Sequence, residues 1–380
     1  MSNSNFYQIK KAIGITLLFL ISLFFSNCSV KTVANDKSLS INILDSLFLI
    51  NEIHLPRYID YNRRNQLYLS VGNEEGIEHL YLHEKRGRIV EDILLASDGT
   101  DKITQVVNRI FDEAANEIVV LTQTEVIAFS LDGKLKSRCN LEEEGIIYAG
   151  FDGDRIISYE DYYILSLLSK EEEALQIGSP NFMSKANPIK IINKSDCKCV
   201  QKIGYPKNSI LQEGIFQPTF YEPMISLDEK NKELEVVFFQ VEGKIYTYAL
   251  PSFKYKTTIN LSLEEMDYPQ SVDRENAFIL KSKFQQDHNK GQIFTLLNFE
   301  GKTLIGYKKS KEWRQQAGNE AHYLILDQQG NQFGDFSFND FSAYDFIVDH
   351  KEGNQFFAFP DFDSFTEEPI GYPLHVIEIR

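Results

Sequence analysis

An all-β fold, a single β-propeller of four-stranded blades, is predicted from three features of the 380-residue chain. A turn-and-strand unit recurs at blade-like spacing. Hairpin signals follow one another without long helical periodicity. Both ends of the folded part read as strands that pair. Phe and Tyr are abundant, 28 and 19 residues against a single Trp, and aromatic and β-branched side chains fit a pleated, half-buried surface.

The recurring unit opens on an apolar residue and Asp, continues through turn-type residues and ends in an apolar run. It reads "IDYNRRNQLYLS" from Ile59, "FDEAANEIVVL" from Phe111, "FDGDRIISY" from Phe151, "LDEKNKELEVVFF" from Leu227, "VDRENAFIL" from Val272 and "VDHKEGNQFFAF" from Val348. Its aspartates are Asp60, Asp112, Asp152, Asp228, Asp273 and Asp349, spaced 52, 40, 76, 45 and 76 residues apart. Halving each long gap gives a period of about 40–50 residues, the range of propeller blades. Asx side chains cap their own backbone and tolerate left-handed conformations, so each Asp starts a hairpin turn. Further hairpins are legible in "VIAFSLDGKLKSRCNL", "IFTLLNFEGKTLIGY", "YLILDQQGNQFGDF" and "IYTYALPSFKYKTTINL", with turn residues Asp-Gly, Glu-Gly, Gly-Asn and Pro-Ser. Radial packing buries both faces of such sheets and leaves only short edges. Seven blades are favoured, with six or eight also compatible; a two-domain β-sandwich protein fits the turn spacing too, but the repeated Asp-hairpin unit favours the propeller. "SLSINIL" (38–44) and "PLHVIEI" (373–379) are expected to pair and close the ring.

Ahead of the propeller (38–380) stand two short segments. Residues 1–27 read as a signal peptide: Lys10 and Lys11 end a polar stretch free of acids, and an apolar run covers Ala12–Phe25. That run falls short of the roughly 20 residues a membrane-spanning helix needs. Phe25-Ser26-Asn27-Cys28 resembles a bacterial lipobox, although Phe25 and Asn27 replace the usual Leu and small residue. Cleavage there would make Cys28 the first, lipidated residue, and residues 28–37 a tether; a plain secretory signal with an incidental cysteine and an uncleaved anchor helix are the alternatives. Each buried CH₂ of an acyl chain contributes about 0.8 kcal/mol to membrane attachment.

The lipobox, the length of the mature chain, "GKIYTYALPSFKYKTTINL" and the C-terminal "HVIEI" together resemble the Bacteroidota lipoproteins grouped as family 4221 of domains of unknown function, with blades like those of TolB-type and related propellers. The resemblance implies fold and an outer-membrane location. The acidic cluster that exports some such lipoproteins to the cell surface is missing after Cys28, which favours the periplasm-facing side. The resemblance brings no catalytic residues.

The formal net charge is −16, which repels phosphate backbones and argues against nucleic acid as a partner. Three cysteines follow Cys28: Cys139, Cys197 and Cys199. An odd number implies no complete disulfide framework, and they read as structural. His79 and His83 alternate along a strand, where positions four apart lie about 13 Å from each other, and read as hairpin-surface residues. Asp361, Asp363 and Glu367 form a weak calcium candidate. The runs Glu142–Glu144 and Glu171–Glu173 read as solvated turns. Trp313, Phe216, Phe220 and Tyr221 are candidates for a binding surface. For "FQPTFYEP", which holds the last three, core packing is the competing reading. No catalytic motif and no cofactor-binding pattern is legible.

These readings point to a binding or scaffold module for a protein, peptide or glycan, held at a membrane through lipid on Cys28. The alternative is a propeller-type hydrolase or lyase whose residues converge on the central channel from different blades. A sensory input domain is a third reading, weakened because no effector domain accompanies it.

Overall fold

A computed structural model describes residues 39, 41–49, 59–74, 77–84, 87–95, 103, 106–141, 145–146, 155–175, 177–216, 221–238, 242–263, 266–268, 271, 291–309, 321–338, 344–349, 355–360 and 372–379. Its strands form six four-stranded antiparallel sheets arranged as a β-propeller. Strand β1 (Ile41–Leu49) comes first. Blade one holds β2 (Ile59–Asn62), β3 (Leu67–Glu74), β4 (Ile77–Glu84) and β5 (Ile89–Leu94). Blade two holds β6 (Val106–Asp112), β7 (Glu117–Thr122), β8 (Glu125–Ser130) and β9 (Leu135–Asn140).

A small ribbon, β10 (Gly145–Ile146) with β13 (Leu168–Ser169), flanks blade three, which is built from β11 (Ile156–Tyr159), β12 (Tyr162–Ser166), β14 (Ile189–Asn193) and β15 (Cys199–Ile203). Blade four is β16 (Pro223–Asp228), β17 (Glu233–Phe238), β18 (Lys244–Ala249) and β19 (Lys254–Asn260). Blade five is β20 (Gln292–Phe299), β21 (Lys302–Lys308), β22 (Ala321–Leu326) and β23 (Gln332–Phe338).

Five sheets thus come each from one stretch of chain. The sixth is made by both ends: β24 (Tyr344–Asp349), β25 (Gln355–Pro360), β26 (Tyr372–Ile379) and, beyond them, β1. Ile41 pairs with Ile379 and Leu49 with Tyr372, so the two terminal segments meet as the sequence leads one to expect. The expectation of seven blades is corrected to fewer. The interval between Asp152 and Asp228 hides no extra blade. It contains helix α1 (Lys170–Glu173), helix α2 (Pro180–Lys185) and a 3₁₀ turn (Ile210–Gln212), all inserted into or after one blade.

First strands of consecutive blades, β2, β6, β11, β16, β20 and β24, touch in series and form the inner ring. Outer strands face solvent: Lys254–Thr257 of β19 are exposed throughout. The apolar core lies between blades, with Leu234, Val236, Ile293 and Ile305 joining blades four and five, and Phe111, Ile118, Leu69 and Leu80 joining one and two.

The first hairpin turn repeats in geometry. Asn62, Asp112 and Asp228 each accept the backbone N–H three residues on, at 3.0, 3.0 and 2.9 Å. Gln66, Asn116 and Lys232 close the turns at φ 54°, 58° and 55°. The structural equivalent in blade one is therefore Asn62 rather than Asp60. Asp60 instead joins two blades, its carboxylate accepting from the Phe111 amide at 2.7 Å.

Similar polar joints recur around the ring. Asp112 accepts from Ser158 Oγ and Lys194 Nζ of blade three, both at 2.7 Å. Burial pushes its carboxyl up, but those hydrogen bonds outweigh burial and hold it below the usual range. Arg109 donates to Glu78 at 2.8 Å. Between blades four and five, Glu235 accepts from Thr303 Oγ1 at 2.8 Å and Asn298 Nδ2 at 3.0 Å, and Asn298 also donates to Ser226.

Cys139 on β9 and Cys197, in the β14–β15 turn at φ 62°, form a disulfide with Cα atoms 5.2 Å apart. It staples blade two to blade three, a single structural bridge rather than a complete disulfide framework. Cys199, on β15, takes no part in that bridge. Peptide mapping without reductant is expected to recover the 139–197 crosslinked pair. Cys139→Ser should destabilise the domain by about 2–4 kcal/mol; equal stability with and without reductant would contradict the staple.

Glu235 is fully enclosed and meets only neutral donors, so burial pushes its carboxyl up to about 7, with Asp228 and Glu233 adding to the shift. The folded state holds this proton more tightly than the unfolded chain, whose value is 4.5. Its contribution to stability is therefore full below pH 4.5 and falls as pH rises to about 7. Glu235→Gln, which resembles the protonated form, is expected to flatten that slope in thermal unfolding and raise Tm at alkaline pH. The effect is at most on the order of 3 kcal/mol. An unchanged slope would count against it.

Candidate functional site

Strand direction gives the ring two unlike ends. Within each blade the first-to-second and third-to-fourth strand connections lie at one end. These are short: residues 63–66, 113–116, 131–134, 160–161, 194–198, 229–232, 250–253, 300–301 and 327–331. Second-to-third and blade-to-blade connections all lie at the other end. Among the described residues they include 167–175 and 177–188, with the two short helices, and 204–216, with the 3₁₀ turn. The acidic run Glu171–Glu173 falls in one of them, while Glu142–Glu144, Glu264 and Glu265 lie outside the described residues. The loop end is thus the elaborated one. It is the candidate functional surface, since loops on a rigid scaffold carry recognition.

On blades three and four, three buried glutamates fix this end. Glu172 in α1 accepts from its own N-cap amide, Ser169, at 2.7 Å and from the Asn187 amide at 2.8 Å, with Lys190 Nζ at 3.3 Å. The expected solvated turn at 171–173 is corrected: Ser169-x-x-Glu172 is a capping box that folds the segment back onto the blade. Glu242 accepts from Ser209 Oγ at 2.6 Å, the Ile210 amide at 3.1 Å and Tyr246 Oη at 2.5 Å, pinning the 3₁₀ turn to blade four. Glu222 forms an ion pair with Arg155, both nearly sealed from solvent, at the entries to inner strands β16 and β11. Beside them Ser166 Oγ donates to the Pro223 carbonyl at 2.9 Å.

Glu172 and Glu242 each meet several donors, so removing either would leave buried groups without partners, at a cost of about 1–3 kcal/mol per group. The result is a preorganised sector. Asn181, Ser184 and Lys185 stand exposed on α2, and Phe182 beneath them packs edge-on against Tyr221.

The candidates read from sequence separate clearly. Phe216 and Tyr221 lie inside the core, 2% and 0% exposed. Tyr221 Oη accepts from the Phe216 amide at 3.1 Å. They pack the loop against blade four and offer no surface, because the aromatic side chains fill the space between two blades. Trp313, Phe220, Cys28, Asp361, Asp363 and Glu367 lie outside the described residues. Among the described residues no group of three or more His, Cys, Asp or Glu is placed to hold a metal, and no helix is long and apolar enough to cross a membrane.

His79 and His83 both sit on β4, as the alternation indicated. His83 is fully buried, which corrects its reading as a hairpin-surface residue. Its Nδ1 faces the Gly87 carbonyl at 3.1 Å and its Nε2 the Ser70 hydroxyl at 2.6 Å. The carbonyl requires the proton on Nδ1, so Ser70 donates to Nε2. That is nucleophile-to-base distance, but both side chains are sealed at 0% exposure. Burial also pushes the imidazole below its ordinary value, against the carbonyl's effect. The pair acts as a neutral core link. His79 stacks on Tyr81 and pairs with Asp92 at 2.8 Å.

No protein-family model and no curated protein matches the chain. Solved structures do. A member of family 4221 of domains of unknown function, from Bacteroides vulgatus, superposes with a TM-score of 0.67 at 10% identity, over 91% of this chain and 99% of that one. A protein from Bacteroides fragilis described as exported gives 0.53 at 13% identity, over 90% and 95%. At such identities the likeness is one of fold. The chain has the propeller architecture of the family 4221 protein along nearly its whole length.

Proposed function

We propose that the protein is a lipoprotein of the cell envelope, anchored through Cys28 to the periplasmic side of an outer membrane, and that its propeller is a binding or scaffold module for a protein, peptide or glycan. Membership of family 4221, with TolB-like blades, is part of this reading. The observation that carries it is the unequal pair of ends. The elaborated loops gather at one end, and the N-terminal strand β1 begins at the other. Leu39, just before β1, donates its amide to the Asp335 carbonyl at 3.0 Å, beside the start of β23 at the short-turn end.

A tether there leaves the loop end free to meet a partner. The Cys139–Cys197 disulfide suits an oxidising compartment, and the exported Bacteroides fragilis protein of similar fold agrees with that setting. Binding is preferred over a hydrolase or lyase because, among the described residues, the Ser70–His83 and Arg155–Glu222 pairs, the constellations nearest to catalytic form, are both closed to substrate.

Two experiments test the reading. Cells fed radioactive palmitate should label the wild-type protein and leave Cys28→Ala unlabelled; equal labelling of both would remove the lipoprotein assignment. A photo-crosslinking amino acid placed at Asn181 or Lys185 should give discrete adducts in intact cells, whereas one at Ser252, at the short-turn end, should not capture the same species. Adducts confined to position 252 would overturn the choice of the loop end as the binding surface.

A further inference from the structure

The short-turn end has its own exposed apolar feature. Phe333, the second residue of β23, is 50% exposed. Lys302, at the start of β21, holds its ammonium 4.0 Å from the Phe333 ring centroid and 5.8 Å from that of Phe299. The neighbouring residue, Gly334, faces Leu39 so closely that a Cβ there would stand 2.5 Å from the Leu39 side chain. The point where the N-terminal chain joins the fold and this aromatic–lysine pair are therefore adjacent on one edge of blade five. Lys230, Lys232 and Lys254 are exposed at the same end, interleaved with Glu229 and Glu300, so the area is amphipathic rather than strongly cationic.

Cys28 precedes Leu39 by eleven residues, and a chain of that length reaches at most about 40 Å. A lipid on Cys28 thus keeps this edge within about 40 Å of the bilayer. That leash is longer than one blade height, about 26 Å for an eight-residue strand, so the orientation falls to the surface of the propeller itself.

We infer that the short-turn edge of blade five, with Phe333 and Lys302 at its centre, lies against the lipid surface and orients the propeller with its loops away from the membrane. This rests on lipidation of Cys28 as proposed above. An aromatic ring enters the headgroup boundary readily, and a lysine beside it keeps its ammonium in water while its stem covers apolar surface. The mixed charges around the pair make the contact chiefly apolar, so raising salt should leave it intact.

The test uses the lipidated full-length product, purified and reconstituted into phosphatidylethanolamine–phosphatidylglycerol vesicles whose acyl chains carry bromine, a tryptophan quencher. In a Trp313→Phe background, Phe333→Trp should lose much of its emission in brominated vesicles, and Lys185→Trp should lose none. Adding Lys302→Glu to Phe333→Trp should weaken the quenching without unfolding the domain, since Lys302 is partly exposed. Quenching at position 185, or none at 333 in a labelled protein, overturns the orientation. Absence of palmitate label in the same preparation would instead overturn the anchoring reading, so the two failures are told apart.

Discussion

The pairing of β1 with β26 is the constraint on which the ring depends. The chain from β24 to β26 supplies only three strands of the last blade, and an unpaired β26 would present a row of free backbone donors and acceptors. The N-terminal strand removes that edge and ties the two ends of the sequence together. It also fixes where the preceding segment enters. Because β1 runs antiparallel to β26, with Ile41 opposite Ile379, it must begin at the short-turn end. The same pairing that closes the ring therefore sets which end a membrane anchor would hold.

Blade-to-blade contact is apolar in its bulk and polar at its joints, and two of the buried carboxylates there, Asp112 and Glu235, differ in kind. Asp112 has a cation, Lys194, and stays ionised. Glu235 has only a hydroxyl and an amide, and burial moves it toward the neutral form. A charge without a counterion is expensive to bury, and a carboxyl in that position gives up its charge instead. One sequence feature, an acidic residue next to an inner strand, thus yields a permanent ion pair at one joint and a group titrating near neutrality at another.

Much of the fold was legible in the sequence, because hairpins are local. The turns of "LDGK" and "FEGK" appear as read, with Gly133 and Gly301 at φ 76°. The blade count was not legible. The Asp motif in blade one was aligned two residues early, on Asp60, because Asn62 plays the same role with a different side chain. The long gap before Asp228 was read as a hidden blade because helices of four and six residues leave no periodicity to detect. Their caps, Ser169-x-x-Glu172 and Ser179-Pro180, were the available signal. The Cys139–Cys197 bridge joins residues brought together only by neighbouring blades. In sequence Phe216 and Tyr221 stand between a platform and core packing, since nothing local tells a loop aromatic that packs inward from one that faces out; the structure gives core packing.

The central claim is that the N-terminal strand closes the propeller and thereby fixes at which of its two unlike ends the chain enters. Hydrogen exchange on the chain starting at Ser38, set against a chain starting at Ile50 that lacks β1, tests it most directly. Strong protection of the β26 amides in the longer chain, with its selective loss in the shorter one, is the predicted result. Equal protection of β26 in both chains would mean that the ring closes without β1, and the account of the two ends would fall with it.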